Sequence, residues 1–208
     1  MNYLSPTEFE SYGLEPDTAV AWITAASAII DAHCRRATLA VAQYDERLRM
    51  MPDRNTVRVT YLPLTNVAPA TTPIISVMGR YSLPRRGESP LAELSADVST
   101  AFGLPGVWVA MDPASIDFDT HTGELTLPSN ALGFGFSEVE IVYTAGVDPL
   151  PSAVKSACAQ IVRNAQATPA LNVRASSLDR MHLEYFSDSL ADTTVRSLLA
   201  PYVAQKVG

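Results

Sequence analysis

Hydrophobic positions recur at helical spacing near both ends of the chain and at alternate positions in its middle. Ala19, Trp22, Ile23, Ala26, Ile29, Ile30 and His33 repeat every three or four residues down to Cys34. This predicts a helix with one apolar face, starting near Asp17, which can cap it. Before it, Ser5-Pro6-Thr7-Glu8 has the form of a capping box with proline at the first helical position, and Gly13 closes that short helix. Towards the other end, Pro149 and Pro151 open a run in which Val154, Ala157, Cys158, Ile161, Val162 and Ala165 fall on one helical face, and Thr168-Pro169 stops it. A last amphipathic helix is expected from Ser189 to Ala200, with Leu190, Val195, Leu198 and Leu199 apolar. Pro201 ends it, and Val203 to Gly208 form a short tail.

Between these ends the period changes. Gln43 to Arg54 is polar and charged, after which Thr56 to Leu62 alternates as a half-buried strand does. Further strands are expected at Ile74–Met78, Val107–Met111, Glu124–Leu127 and Val139–Tyr143, with turn signals at Thr122-Gly123 and Ala145-Gly146. The polar, proline-bearing stretch from Arg80 to Pro105 reads as a long exposed loop, and Val173 to Tyr185 is open between extended chain and loop. The fold class expected is α+β, mostly α: helices at both ends around a small antiparallel β unit, with a C-terminal helix and short tail. One domain, 1–208, is expected to comprise N-terminal helices at 1–42, a β-rich middle at 43–146 with its loop at 80–105, a helix and irregular segment at 147–186, and a closing segment at 187–208.

Composition narrows the function classes. With 208 residues, 47% of them hydrophobic and 18% charged, the chain can build a real core. Residues 1–138 hold 9 Lys+Arg against 16 Asp+Glu, a balance of −7, and residues 139–208 hold 6 of each, a balance of zero. An acidic bulk argues against a surface that grips nucleic acid but is compatible with DNA passing nearby without sticking. The start reads as neither a signal peptide nor a membrane span, because the apolar run from Ala19 to Ile30 is short and interrupted by Thr24 and Ser27. Cys34 and Cys158, both on apolar helix faces, read as reduced core residues.

A search for chemistry returns nothing convincing. His33, His121 and His182 lie in three separate segments, and His33-Cys34 has no second ligand pair at metal-binding spacing. Asp112, Asp117, Asp119 and Glu124, with His121 among them, lack the calcium-loop pattern and read as a solvated acidic turn. Gly103-Leu104-Pro105-Gly106 and Gly133-Phe134-Gly135-Phe136 lack the Lys and Ser/Thr of a phosphate loop. Arg35-Arg36 and Arg85-Arg86 are pairs rather than basic patches. The expectation is therefore no enzyme: no catalytic residue, no cofactor and no metal.

The ordered set of motifs resembles the head–tail connector (adaptor) family of long-tailed bacteriophages and gene transfer agents. The stretches that carry the resemblance are Leu4-Ser5-Pro6-Thr7-Glu8-Phe9; Ala25 to Arg36, similar to an "A-S-x-x-I-D-x-x-C-x-R" helix end; Tyr61-Leu62-Pro63-Leu64; and Thr122-Gly123-Glu124-Leu125. Val139 to Gly146 with the following Pro149-Leu150-Pro151-Ser152-Ala153-Val154-Lys155, and Leu198-Leu199-Ala200-Pro201-Tyr202, complete the set. The resemblance thins between Arg80 and Pro105. It implies a homo-oligomeric ring of roughly twelve subunits in the neck of the virion. Such a ring binds the portal protein on one side and a stopper or tail completion protein on the other, with DNA passing through unread during genome ejection. Leu198, Leu199, Pro201, Tyr202 and Val203 are the residues expected to bind the portal; the plainer reading of Leu198 and Leu199 is that they complete the core. Rival readings are another neck protein (stopper, head completion or tail terminator), a small hydrolase using His121 with Asp119, and a monomeric binding module.

Overall fold

The computed structural model describes residues 1–50, 55–81, 106–128, 136–167, 175–178, 181–184 and 190–204. The chain divides into two compact units, one made of Met1–Ala40 with Val147–Ala204 and the other of Val41–Gly146.

The first unit is helical. Its principal elements are α1 (Val20–Cys34), α2 (Ser152–Ala167) and α3 (Thr193–Leu199). The short helix expected after Ser5 is instead two consecutive 3-10 turns, Pro6–Glu8 and Glu10–Tyr12, closed by Gly13 in the left-handed region (φ 72°). Six residues between a proline and a left-handed glycine leave little room for i→i+4 bonding, and the tighter i→i+3 turns fill it. Helix α2 buries the face its spacing predicts, with Val154, Ala157, Cys158, Ile161 and Val162 inside. Helix α1 buries Ile23, Ala26, Ser27, Ile30 and Cys34, whereas Ala19 and Trp22, expected inside, face solvent. That run is apolar almost all round, so its periodicity does not select a face. Helix α1 packs on α2 and α2 on α3. Tyr3, Leu4, Phe9, Leu14 and Leu39 fill the same core, each large side chain contributing about 2 kcal/mol by leaving water. A hairpin of β8 (Ala175–Leu178) and β9 (Met181–Glu184), paired Ala175↔Glu184 to Leu178↔Met181, occupies the stretch that was open between strand and loop.

The second unit is two antiparallel sheets over one core. The first sheet has the order β1-β7-β3-β4, from β1 (Ala42–Arg49), β3 (Ile74–Arg80), β4 (Val109–Met111) and β7 (Glu138–Ala145). The second has the order β2-β6-β5, from β2 (Thr56–Arg58), β5 (Asp117–Phe118) and β6 (Glu124–Thr126). Val139, Ile141, Tyr143 and Ala145 from one face of β7 join Val77, Val57, Leu125, Leu127 and Ile116 in the core, to which no helix contributes among the described residues. This corrects the expected fold class. The protein is not mostly α with helices around a small β unit: among the described residues, seven strands in two sheets form a hydrophobic core of their own, separate from that of the helices. Most of the 80–105 loop lies outside the described residues. At its ends, Arg80 closes β3 and the Gly106 N–H donates to the Tyr81 carbonyl (2.9 Å).

Candidate partner-binding segment and its supports

The closing segment is built from α3 upward. Asp192 caps the helix, its Oδ1 accepting the Val195 N–H (2.8 Å), and that bond holds the carboxyl below its ordinary range. Asn164 on α2 reaches across with its Nδ2 to Asp192 Oδ2 and the Leu190 carbonyl (both 3.2 Å), so α2 fixes where α3 begins. Pro201, lacking an N–H, turns the chain into a 3-10 turn, Ala200–Tyr202. The Ala204 N–H then donates to the Cys34 carbonyl at the end of α1 (2.9 Å), so the segment is tied down at both ends.

This arrangement separates the five residues expected to bind a partner. Leu199 lies fully inside the helical core, which is the plainer of its two readings. Leu198 and Tyr202 are half-buried against that core, Val203 is half-buried, and Pro201 is exposed. In this conformation Pro201 and the outer edges of Leu198, Tyr202 and Val203 are what the segment leaves accessible.

The helix end Ala25 to Arg36 is a folding device. Ser27 Oγ, buried, accepts the Tyr3 N–H (3.1 Å) and donates to the Ile23 carbonyl (2.7 Å). Asp31 accepts the Tyr3 hydroxyl proton, and the Tyr3 oxygen accepts the Leu39 N–H (2.7 Å). Burial, then the bond to Asp31, pushes the Tyr3 phenol up to about 12, and burial raises the Asp31 carboxyl despite that bond. Helix α1 ends in a Schellman pattern, with Arg35 N–H on the Ala32 carbonyl and Arg36 N–H on the Asp31 carbonyl (both 3.2 Å). Arg35 holds the left-handed conformation there (φ 55°), where glycine is usual.

Two polar clusters in the β unit went unforeseen. On the inner side of β1, Glu46 accepts the Thr60 N–H (2.9 Å) and bonds the Tyr143 hydroxyl, which accepts the Tyr61 N–H (3.2 Å); burial raises the Tyr143 phenol. Tyr44 stacks on Tyr61 with ring centroids 4.0 Å apart. On the outer face, Glu138 Oε2 takes Arg47 Nη2 at 2.8 Å and Arg80 Nε at 2.7 Å, and both guanidiniums lie over the Trp108 ring, at 5.5 and 4.5 Å. Burial works to raise the Glu138 carboxyl, but Arg80 and Arg47 outweigh it and hold it low. The register pairs Arg80 and Arg49 with Glu138, a signal visible only once the pairing is known.

Asp119 Oδ1 accepts the backbone N–H groups of His121 (2.7 Å) and Thr122 (3.1 Å), a turn geometry that lowers its carboxyl and engages the main chain rather than the imidazole. Burial pushes the thiols of Cys34 and Cys158 up to about 11, far from the thiolate form at neutral pH. Among the described residues no group of three or more His, Cys, Asp or Glu could hold a metal ion. Of the glycine-bearing stretches, only Gly106 and Phe136 are described; Phe136 packs over Gly79 and against Tyr81. Arg85-Arg86 and the His182 side chain lie outside the description. No helix among the described residues is long and apolar enough to cross a membrane. No protein-family model matches the chain, and no curated protein matches it in sequence.

Proposed function

We propose that this chain is a structural virion protein, a head–tail connector subunit that assembles into a ring between portal and tail. The observation that carries the reading is the convergence of the resembling stretches. Leu4 and Phe9, Ile30 and Cys34, Leu150 and Val154, and Leu198, Leu199 and Tyr202 come from four stretches far apart in sequence and meet in one helical core. The remaining three meet in the β unit. Leu64 bridges to Ala145, the Gly146 N–H donates to the Pro63 carbonyl (3.0 Å), and a Cβ on Gly123 would stand 2.5 Å from Leu62. Motifs that are short and separate along the chain thus act as two sets of mutual contacts, which is how a shared fold constrains sequence. The β unit is larger than the resemblance implies. The acidic balance of −7 supports a channel past which DNA slides rather than binds.

The test is the mass of the purified chain, alone and with its cognate portal protein, by light scattering behind size exclusion. A ring, or a monomer that joins the portal in fixed stoichiometry, is expected; a chain that ignores the portal at high concentration overturns the reading. Deleting the closing segment from Ser187 onward is a poor probe of docking, because it strips Val195 and Leu199 from the core. The exposed substitution Pro201→Glu is the better one, expected to weaken portal binding while the free chain keeps its fold.

A further inference from the structure

The solvent side of α1 departs from what a surface helix should be. Ala21, Ala25, Ala28 and Ala32 follow one another at i, i+4, i+7 and i+11 and all are exposed. Trp22, 41% exposed, and the half-buried Ile29 stand beside them two turns apart, and Val20 at the start is 48% exposed. No charged residue lies between Asp17 and Asp31, so this side is apolar over most of its length, about 22 Å for a fifteen-residue helix. A surface helix without a polar face is a covered helix.

The two ends of the stripe say what covers it. Before the helix stand Glu15 and Asp17, both exposed and acidic; just after it stands Arg35, exposed and basic. Arg35 also occupies a left-handed position that glycine would fill with less strain, so its side chain is retained at a cost. Asp17 stands eight residues before Ala25, and Arg35 seven residues after Ala28. When the same helix is laid antiparallel on itself about a two-fold axis near Ala25 and Ala28, Glu15 and Asp17 of each copy meet Arg35 of the other. Trp22 then lies over the partner's Ile29 and Ala32, large against small, and the alanines let the backbones approach.

We propose that α1 is a homodimer interface, paired antiparallel with α1 of a second copy of this chain. The contact is isologous, the same patch on both copies. It does not rest on the connector reading: a ring joining two unlike partners has all its subunits pointing one way, so an antiparallel contact lies outside such a ring. A single helix face buries less than the roughly 800 Å² per partner of a stable complex, so the dimer forms at high concentration and dissociates on dilution.

Analytical ultracentrifugation of the full chain up to about 1 mM tests this, with circular dichroism as the check on folding. A concentration-dependent dimer is expected, weakened about tenfold or more by the exposed substitution Trp22→Ala. Arg35→Glu is expected to weaken it comparably, and adding Glu15→Arg and Asp17→Arg to that variant is expected to restore it, since every end contact is then reversed in sign. A chain that stays monomeric, a dimer indifferent to Trp22→Ala or Arg35→Glu, or a triple variant that fails to recover overturns the proposal. So does a Trp22→Ala chain whose only defect is in binding the portal, which would give this face to that partner instead.

Discussion

The Tyr3 hydroxyl joins the N-terminal stretch, the end of α1 and the chain that leaves it, through Asp31 and the Leu39 N–H. Tyr3→Phe keeps the buried ring and removes both hydrogen bonds of the hydroxyl, to Asp31 and from the Leu39 N–H. The expected cost is about 1–3 kcal/mol, read as a lower urea midpoint at unchanged slope. Glu8 works at the surface of the same unit. Lys155 first, and then the Ser5 N–H, hold its carboxyl down to about 2, from an ordinary 4.5. A folded-state value below the unfolded one means stability present above about 4.5 and lost as pH falls through about 2. The pair is partly exposed, so the loss is expected to stay below about 1 kcal/mol. Acid titration of stability should show that step in the native chain and lack it in Glu8→Gln.

Strands and helices differ in how much of them could be read in advance. Helix α2 was legible because six apolar positions at helical spacing stand among polar ones; five of them are buried, and Ala165 near the end is half-buried. Strand β1 was not. Its inward positions are Ala42, Tyr44, Glu46 and Leu48, and a glutamate among them hides the alternation; Glu46 is inside because it serves the Thr60 N–H and the Tyr143 hydroxyl. The capping box after Ser5 did form its side-chain contacts, with Glu8 accepting from the Ser5 N–H and hydroxyl, but on 3-10 turns rather than an α-helix. In β3, Gly79 provides the space for Phe136: a Cβ there would lie 2.6 Å from Phe136 Cγ and 3.0 Å from Met111 Cε. Gly79→Ala is therefore expected to destabilise by about 1–3 kcal/mol through overpacking. Phe136→Ala in the same chain should recover part of that loss, a non-additivity that a double-mutant cycle in urea would measure.

At the scale of the molecule, the chain leaves the helical unit after Ala40, completes the β unit, and returns at Val147. Both crossing points fall within two residues of boundaries visible in the sequence, where helical period gives way to strand period and where Pro149 restarts the helix. The connector reading belongs at this scale and stands on the mass measurement. The amino-acid sequence by itself determined where the α1, α2 and closing-helix regions lie and most strands of the middle, because these depend on local period and residue type. The tertiary structure alone decided which face of α1 is inside, that Glu46 belongs to a strand, that two β-sheets share a core of their own, and that Leu199 is core while Pro201 is surface. Each of those depends on what another part of the chain supplies: a hydroxyl for Glu46, a second sheet for β7, or the helices that pack on one side of α1.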